Sequence, residues 1–176
     1  MWYGWLKNTY ERIRYRKNKP EYARKLGVRI GERCKIHANV RECFGSEPWL
    51  ITIGDHVLIA TGVHLITHDG GTFVFIDEYP KTNVLGPIRI GNNVYIGMNA
   101  IILPDVVVAD NVIIAAGAVV TKNLESGWVY GGVPAKKIET VAEYKEKALM
   151  KSLETNGMTM EEKRNAIMKR MPQWFE

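Results

Sequence analysis

The chain has 176 residues, 46% of them hydrophobic and 24% charged, with a net charge of +5. That length suits one domain with a real core. No apolar run is long enough to cross a membrane, and two cysteines, Cys34 and Cys43, exclude a disulfide framework. The start, Met1-Trp-Tyr-Gly-Trp-Leu-Lys7, lacks the apolar core and small-residue cleavage site of a secretory signal. The expectation is a cytoplasmic protein with free thiols.

The charge is uneven. Residues 1–35 carry eleven Lys/Arg against three acids, residues 36–135 four against nine, and residues 136–176 nine against seven. The acidic middle argues against nucleic acid lying along it, because phosphate binding needs a basic surface. The basic start leaves open a contact with anionic lipid or another chain.

In chain order, residues 2–17 read as a helix with an aromatic face (Trp2, Trp5, Tyr10, Tyr15) and cations between. Pro20 to Gly27 reads as a second short helix, with Pro in the first turn and Gly at the end. Two readings of residues 1–29 stay open: a cap on the open end of a repeat body, or a peripheral membrane contact.

From Ile30 a six-residue period begins: Ile30-Gly-Glu-Arg-Cys-Lys35, then Ile36-His-Ala-Asn-Val-Arg41. It falters through Glu42–Trp49 and returns one residue out of step at Ile53, Ile59 and Leu65. Residues 71–87 break it again, and an interruption of that length in a compact body is usually functional. Its aromatics and branched aliphatics predict that it packs on something. From Ile90 to Glu125 the period runs through six uninterrupted hexads. Their first position is always Ile or Val, the second usually Gly or Ala, and the fifth Val, Ala or Leu. Six suits neither the helical period nor plain strand alternation. It reads as very short strands joined by turns, with first and fifth residues inward and three faces per coil. Thirty-six residues then make two coils. After the repeats, two helices are expected: about Thr140 to Leu153, and one opened by the capping box Thr159-Met-Glu-Glu162 and ending near Met171. Trp174 and Phe175 are expected to be buried against a neighbour.

Among residues with chemistry, His68 stands where a repeat ends and the long interruption begins. An imidazole is the commonest general base near neutral pH. Asp69 either orients it or is an ordinary turn residue. His37, His56 and His64 fall at non-core positions and should point outward. Three histidines at a zinc spacing are not present, and no Cys or carboxylate cluster replaces one, so no metal is expected.

The hexads, with Thr67-His68, Ile90-Gly-Asn-Asn-Val-Tyr-Ile-Gly97, Gly117-Ala-Val-Val-Thr-Lys122 and Gly132-Val-Pro-Ala-Lys136, resemble the hexapeptide-repeat acetyltransferases. The resemblance covers roughly residues 20–139. It is similar to the maltose and galactoside O-acetyltransferases, and in residues 20–31 to bacterial surface-polysaccharide O-acetyltransferases. It implies a mainly β fold, a left-handed parallel β-helix over residues 30–138, with a protruding loop at 71–87, an N-terminal helical segment (1–29) and C-terminal helices (139–176). It also implies a homotrimer with acetyl-CoA lying between subunits, and a His at the place of His68 that deprotonates the acceptor. By position Gly97 and Met98 would face the thioester and Ala116 the pantetheine, while Thr121, Lys122 and Lys136 would hold the far end. Met98 stands where relatives often have Ser, leaving backbone N–H groups for oxyanion stabilisation. Glu139 stands where relatives often have a second basic residue. Glu42, Glu47 and Trp49, in the stretch where the sugar enzymes keep acceptor residues, are the acceptor candidates. The expected activity is O-acetylation of a sugar hydroxyl of a surface polysaccharide or its precursor. The alternatives are N-acylation of an amino sugar or small amine, and a non-catalytic scaffold. A β-helical zinc hydratase is the remaining rival.

Overall fold

The computed structural model describes Glu11 and residues 14–176. The chain divides into two compact units, one ending at Val141 and the other Ala142–Glu176. Most of the expected helix over residues 2–17 lies outside the described residues.

The first unit is a coil of short parallel strands. One sheet joins β1 (Arg29–Ile30), β3 (Ile51–Ile53), β6 (Ile88–Ile90) and β9 (Val107–Val108). A second joins β2 (Lys35–Ile36), β4 (Leu58–Ile59), β7 (Val94–Ile96), β10 (Val112–Ile114) and β12 (Trp128–Gly131), edged by antiparallel β13 (Lys136–Thr140). A third joins β5 (His64–Leu65), β8 (Ile101–Ile102) and β11 (Val119–Val120). The registers Ile90↔Val108, Ile96↔Ile114 and Ile102↔Val120 put three hexads in each coil.

Burial follows the hexad. First-position Ile90, Ile96, Ile102, Val108, Ile114 and Val120 are all buried, as are fifth-position Val94, Ala100, Val106, Val112, Ala118 and Leu124. Each coil thus adds a layer of aliphatic side chains to one continuous core. The Gly at the second position has a local cause. Asp55 Oδ1 accepts from Glu32 N at 2.7 Å, Asn92 Oδ1 from Asp55 N at 2.8 Å, and Asp110 Oδ1 from Asn92 N at 2.6 Å. A Cβ on Gly54 would lie 2.5 Å from Asn92 Oδ1, so the ladder of side chains needs that position empty. The turn between the first and second sheets holds one left-handed residue per coil: Arg33, His56, Asn93 and Asn111.

Two departures break the coil. In the first coil no strand forms on the third face. A short helix, α2 (Val40–Phe44), and a 3₁₀ turn at Pro48–Leu50 run there instead. Val40, Cys43 and Phe44 are buried, and the extra residues produce the slip in period. The second departure follows β5. His68 pairs with Leu85 in an antiparallel bridge, Asp69 N donates to Val84 O at 3.0 Å, and Gly86 N donates to Thr67 O at 2.9 Å. The arm so closed carries a 3₁₀ turn at Gly70–Phe75. Its apolar residues are not covered by the single chain: Phe73 is 79% and Val74 87% exposed.

Ahead of the coil, α1 (Lys19–Leu26) begins at Asn18, whose side chain accepts from Glu21 N, and stops at left-handed Gly27. Tyr22 and Ala23 of α1 join the core, and Lys19 Nζ donates to His37 O and Ala38 O on the first coil. Glu11 is buried, with its carboxylate on Lys25 Nζ at 2.8 Å and Arg41 Nη2 at 3.1 Å.

The second unit holds most of α3 (Val141–Met150) and all of α4 (Met160–Arg170). The expected capping box is present: Glu162 N donates to Thr159 Oγ1, and Thr159 N to Glu162 Oε2. Arg170 donates to Leu153 O. Trp174 and Phe175, expected to be buried against a neighbour, are exposed in the single chain.

Candidate active site

The two departures from the repeat meet at one carboxylate. Glu47 comes from the stretch that replaces a strand in the first coil, and Thr67 and His68 from the start of the arm. Glu47 Oε2 accepts from Thr67 Oγ1 at 2.9 Å and lies 2.9 Å from His68 Nδ1. Thr67 is buried, while the side chains of Glu47 and His68 are 17% and 43% exposed. Burial by itself would raise the Glu47 carboxyl. Hydrogen bonds from His68, Ser46 and Thr67, with the charge of His68, outweigh it and hold the group below its ordinary value. Glu47 is therefore ionised at neutral pH and accepts only. In the neutral ring it accepts a hydrogen bond from Nδ1–H, which leaves the lone pair on Nε2. Among the described residues Nε2 has no hydrogen-bond partner, so the half-exposed imidazole presents Nε2 to solvent.

Of the two readings of Asp69, this geometry fits the turn residue. Its Oδ1 accepts from Gly71 N at 2.8 Å and caps the 3₁₀ turn, so it is a turn residue. Glu47, read from sequence as an acceptor contact, holds the imidazole instead. Glu42 is exposed, with Asn39 Nδ2 on Oε1 at 2.7 Å, and Trp49 is 57% exposed. No hydrogen bond joins either to His68. His37, His56 and His64 are exposed, and among the described residues no three His, Cys, Asp or Glu side chains converge as a metal site.

The donor candidates fall into two groups. At the turn between the second and third sheets, Gly97 is buried under the next coil, where a Cβ would lie 2.5 Å from Ala116 N. Gly117 N donates to Met98 O at 2.8 Å, and Met98 and Ala116 are exposed. Gly97, Met98 and Ala116 thus form one open edge two coils deep, with main chain close to the surface. Thr121 and Lys122 follow β11 and are exposed. Ala135 N donates to Val119 O at 2.8 Å, which lays the turn before Lys136 beside β11. The imidazole and the Gly97 edge lie at opposite ends of the third sheet's strands, since His68 follows β5 and Gly97 precedes β8.

Residues 87–122 match the bacterial transferase hexapeptide family (six repeats). Protein CapG of Staphylococcus aureus is 44% identical over 159 residues, which cover 90% of this chain and 92% of CapG. The galactoside O-acetyltransferase of Escherichia coli (strain K12) is 35% identical over 105 residues, 54% of this chain and 46% of that one. A hexapeptide-repeat acetyltransferase from Vibrio cholerae O1 biovar eltor, solved with acetyl coenzyme A, superposes with a TM-score of 0.53 at 25% identity, covering 65% of this chain and 61% of that one. The chain spans nearly all of CapG but only about half of the galactoside enzyme. With a coil of stacked hexads and an imidazole where the long arm leaves it, the chain belongs to the hexapeptide-repeat acetyltransferase family.

Proposed function

We propose that this protein transfers an acetyl group from acetyl-CoA to a sugar hydroxyl, with His68 as the general base. The observation that carries the reading is the Glu47–His68 pair. An ionised carboxylate on Nδ1 fixes the tautomer, and the free Nε2 lone pair takes the hydroxyl proton as the oxygen attacks the thioester carbonyl. The imidazolium that forms is stabilised by the same carboxylate. The thiolate of CoA leaves and is protonated, and no acyl-enzyme is needed. Asp69 has no part in the step. Met98 offers no hydroxyl at the thioester, so backbone N–H groups of the Gly97 edge polarise the carbonyl. Lys122 and Lys136 meet the phosphates as point charges, with Thr121 beside them. The Vibrio neighbour's bound acetyl coenzyme A supports this donor. The galactoside enzyme's name supports a sugar acceptor, here one belonging to a surface polysaccharide or its precursor.

A second copy of the chain completes the site in this reading. His68 and the Gly97 edge lie at opposite ends of one sheet, so the base of one copy faces the donor edge of another. The exposed Phe73, Val74 and Tyr79 of the arm supply an apolar contact for that neighbour. Three such heterologous contacts close a ring with three equal sites. Glu11 and α1 act as a cap on the first coil, because Glu11 is buried against Lys25 of α1 and Arg41 of α2.

Thiol release from acetyl-CoA, measured across neutral and charged saccharides, is the direct test. Release that depends on a saccharide and disappears in His68→Ala supports the reading. Release that depends only on amines turns it to N-acylation. Light scattering is expected to give three chains per particle, and a monomer at working concentration overturns the shared site.

A further inference from the structure

The coil has three edges. One carries His68 and a second carries Gly97 and Met98. The third, between the first and second sheets, carries no residue of the proposed reaction and holds a groove of about 370 Å³, within the size range of small-ligand sites. One wall is the column of left-handed turn residues, Arg33, His56, Asn93 and Asn111. The floor is the outer face of the second sheet, where Lys35, Leu58, Tyr95 and Ile113 stand in register, one per coil.

Three features mark this groove. No carboxylate lines it, although residues 36–135 carry nine acids against four Lys/Arg. Arg33 and Lys35 are exposed at one end, and neither side chain makes a hydrogen bond or ion pair among the described residues. The third feature is the choice of turn residue. The third and fourth coils use Asn, which enters the left-handed region readily, while the first and second coils place Arg33 and His56 there, each at φ 56°. Turn geometry alone does not call for Arg at that position, and a residue held in an unfavourable conformation beside a groove points to a ligand.

We infer that this edge binds an anionic saccharide, a carboxylate- or phosphate-bearing sugar of the acceptor glycan outside the reacting unit. The assignment of the ligand to the acceptor rests on the sugar acetyl-transfer reading above. The Tyr95 ring, 42% exposed between Leu58 and Ile113, offers a flat apolar platform for a pyranose face. His56 Nδ1 lies 2.9 Å from Asn93 Oδ1, and Asn93 Nδ2 donates to Asn111 Oδ1 at 2.8 Å. These bonds fix the wall and leave the Asn111 amide nitrogen to donate outward. The Arg33 fork and the Lys35 ammonium take the acid group. In a ring that buries the other two edges, this one faces solvent and is open to a polymer.

The test is calorimetric titration of the full chain with a galacturonate tetramer, with neutral maltotetraose and with inorganic phosphate. The charged tetramer is expected to bind at least tenfold more tightly than the neutral one. The double variant Arg33→Asn/Lys35→Gln is expected to erase that difference. Asn relaxes the turn, so the variant should keep its melting temperature and its acetyl transfer to a neutral monosaccharide. Phosphate that displaces the tetramer, or binds while the tetramer does not, identifies a phosphate-reading site. Tetramer binding that phosphate leaves intact identifies a carboxylate-reading one. Equal affinity for charged and neutral tetramers, no binding of either charged probe, or undiminished binding by the variant overturns the proposal. Variant-sensitive binding without saccharide-dependent thiol release sinks acetyl transfer and keeps the groove, while release without binding does the reverse.

Discussion

The third and fourth coils are built from the same hexad as the first two, and they carry no interruption. There the first and fifth residues fill the core, Asn93 and Asn111 make the turns, and each strand meets its partner three hexads on. The first two coils break this pattern twice, once where α2 and its following turn replace a strand and once where the arm leaves β5. Both breaks end on one hydrogen-bonded group, Glu47 with Thr67 and His68. The regular coils offer close main-chain surface at Gly97 and Ala116, and the irregular ones supply an aimed side chain. A repeat can only present the same residue types at each level. A base with a fitted carboxylate requires that the period be broken twice, in two adjacent coils.

The sharpest test of this contrast is His68→Ala. Loss of a general base costs about a hundred- to ten-thousand-fold in rate, and the side chain is 43% exposed and outside the core. Turnover is expected to fall by that factor with the chain still fully folded at the assay temperature. A variant within threefold of wild type removes His68 from the mechanism.

Glu47→Gln is the next largest. Gln keeps an acceptor but adds an NH₂ donor, so the imidazole is no longer held to one tautomer. A loss of about ten- to a hundredfold in kcat is expected, less than the full general-base term, with the KM for acetyl-CoA unchanged. A merely structural Glu47 instead leaves kcat in step with the folded fraction and does not move the pH–rate profile. Thr67→Val, which removes the second hydrogen bond to the same oxygen, should fall between wild type and Glu47→Gln.

How much of this was legible varies with the kind of region. The inward residues of the coils were readable because one chemical type recurs at a fixed spacing over many levels. The helix α1 and the Thr159–Glu162 capping box were readable because a few local residues specify each. His68 stood out by its place at a junction. Its partner did not, because Glu47 lies across an interrupted stretch whose length gives no register. The five residues of α2 are too few to show a helical period. Aromatic content in the arm suggested packing, yet Phe73 and Val74 face outward in the single chain, since a sequence does not say whether the covering surface belongs to the same copy.

On the regular side of the contrast, Gly54→Ala probes the packing of coils. Its Cβ would lie 2.5 Å from Asn92 Oδ1 and 2.8 Å from Gly91 O, with backbone on one side that does not yield. Overpacking of this kind costs about 1–3 kcal/mol, which for a chain of this size lowers the melting temperature by roughly 2–12 °C. Gly70→Ala is the control from the irregular side. A Cβ there meets nothing within 4 Å, so its effect should stay within about 0.5 kcal/mol. Equal losses at the two sites would mean that coil contact is not what selects Gly.

The smallest effect is the pH dependence of stability, and it separates the two breaks from the coils. Glu11 is held below its ordinary value of 4.5 chiefly by the hydrogen bond from Lys25, against burial, with Arg41 and Tyr22 adding to it. Glu47 is held below the same value by His68, Ser46 and Thr67, which together overcome its burial. A carboxylate bound more weakly by protons in the folded chain stabilises it above the unfolded value, and that contribution fades as pH falls through the folded value. Wild type should therefore lose stability below about pH 4.5 more steeply than Glu11→Gln or Glu47→Gln. At pH 7 each variant should be less stable than wild type, and the gap should close on the acid side. Glu32, whose partner Arg24 lies 3.0 Å away but whose side chain is 82% exposed, serves as the reference. An exposed ion pair contributes little, so Glu32→Gln should track wild type across the whole range. A gap that stays constant with pH at Glu11 and Glu47 would mean that their carboxylates stabilise the chain by shape and hydrogen bonding alone, independent of charge.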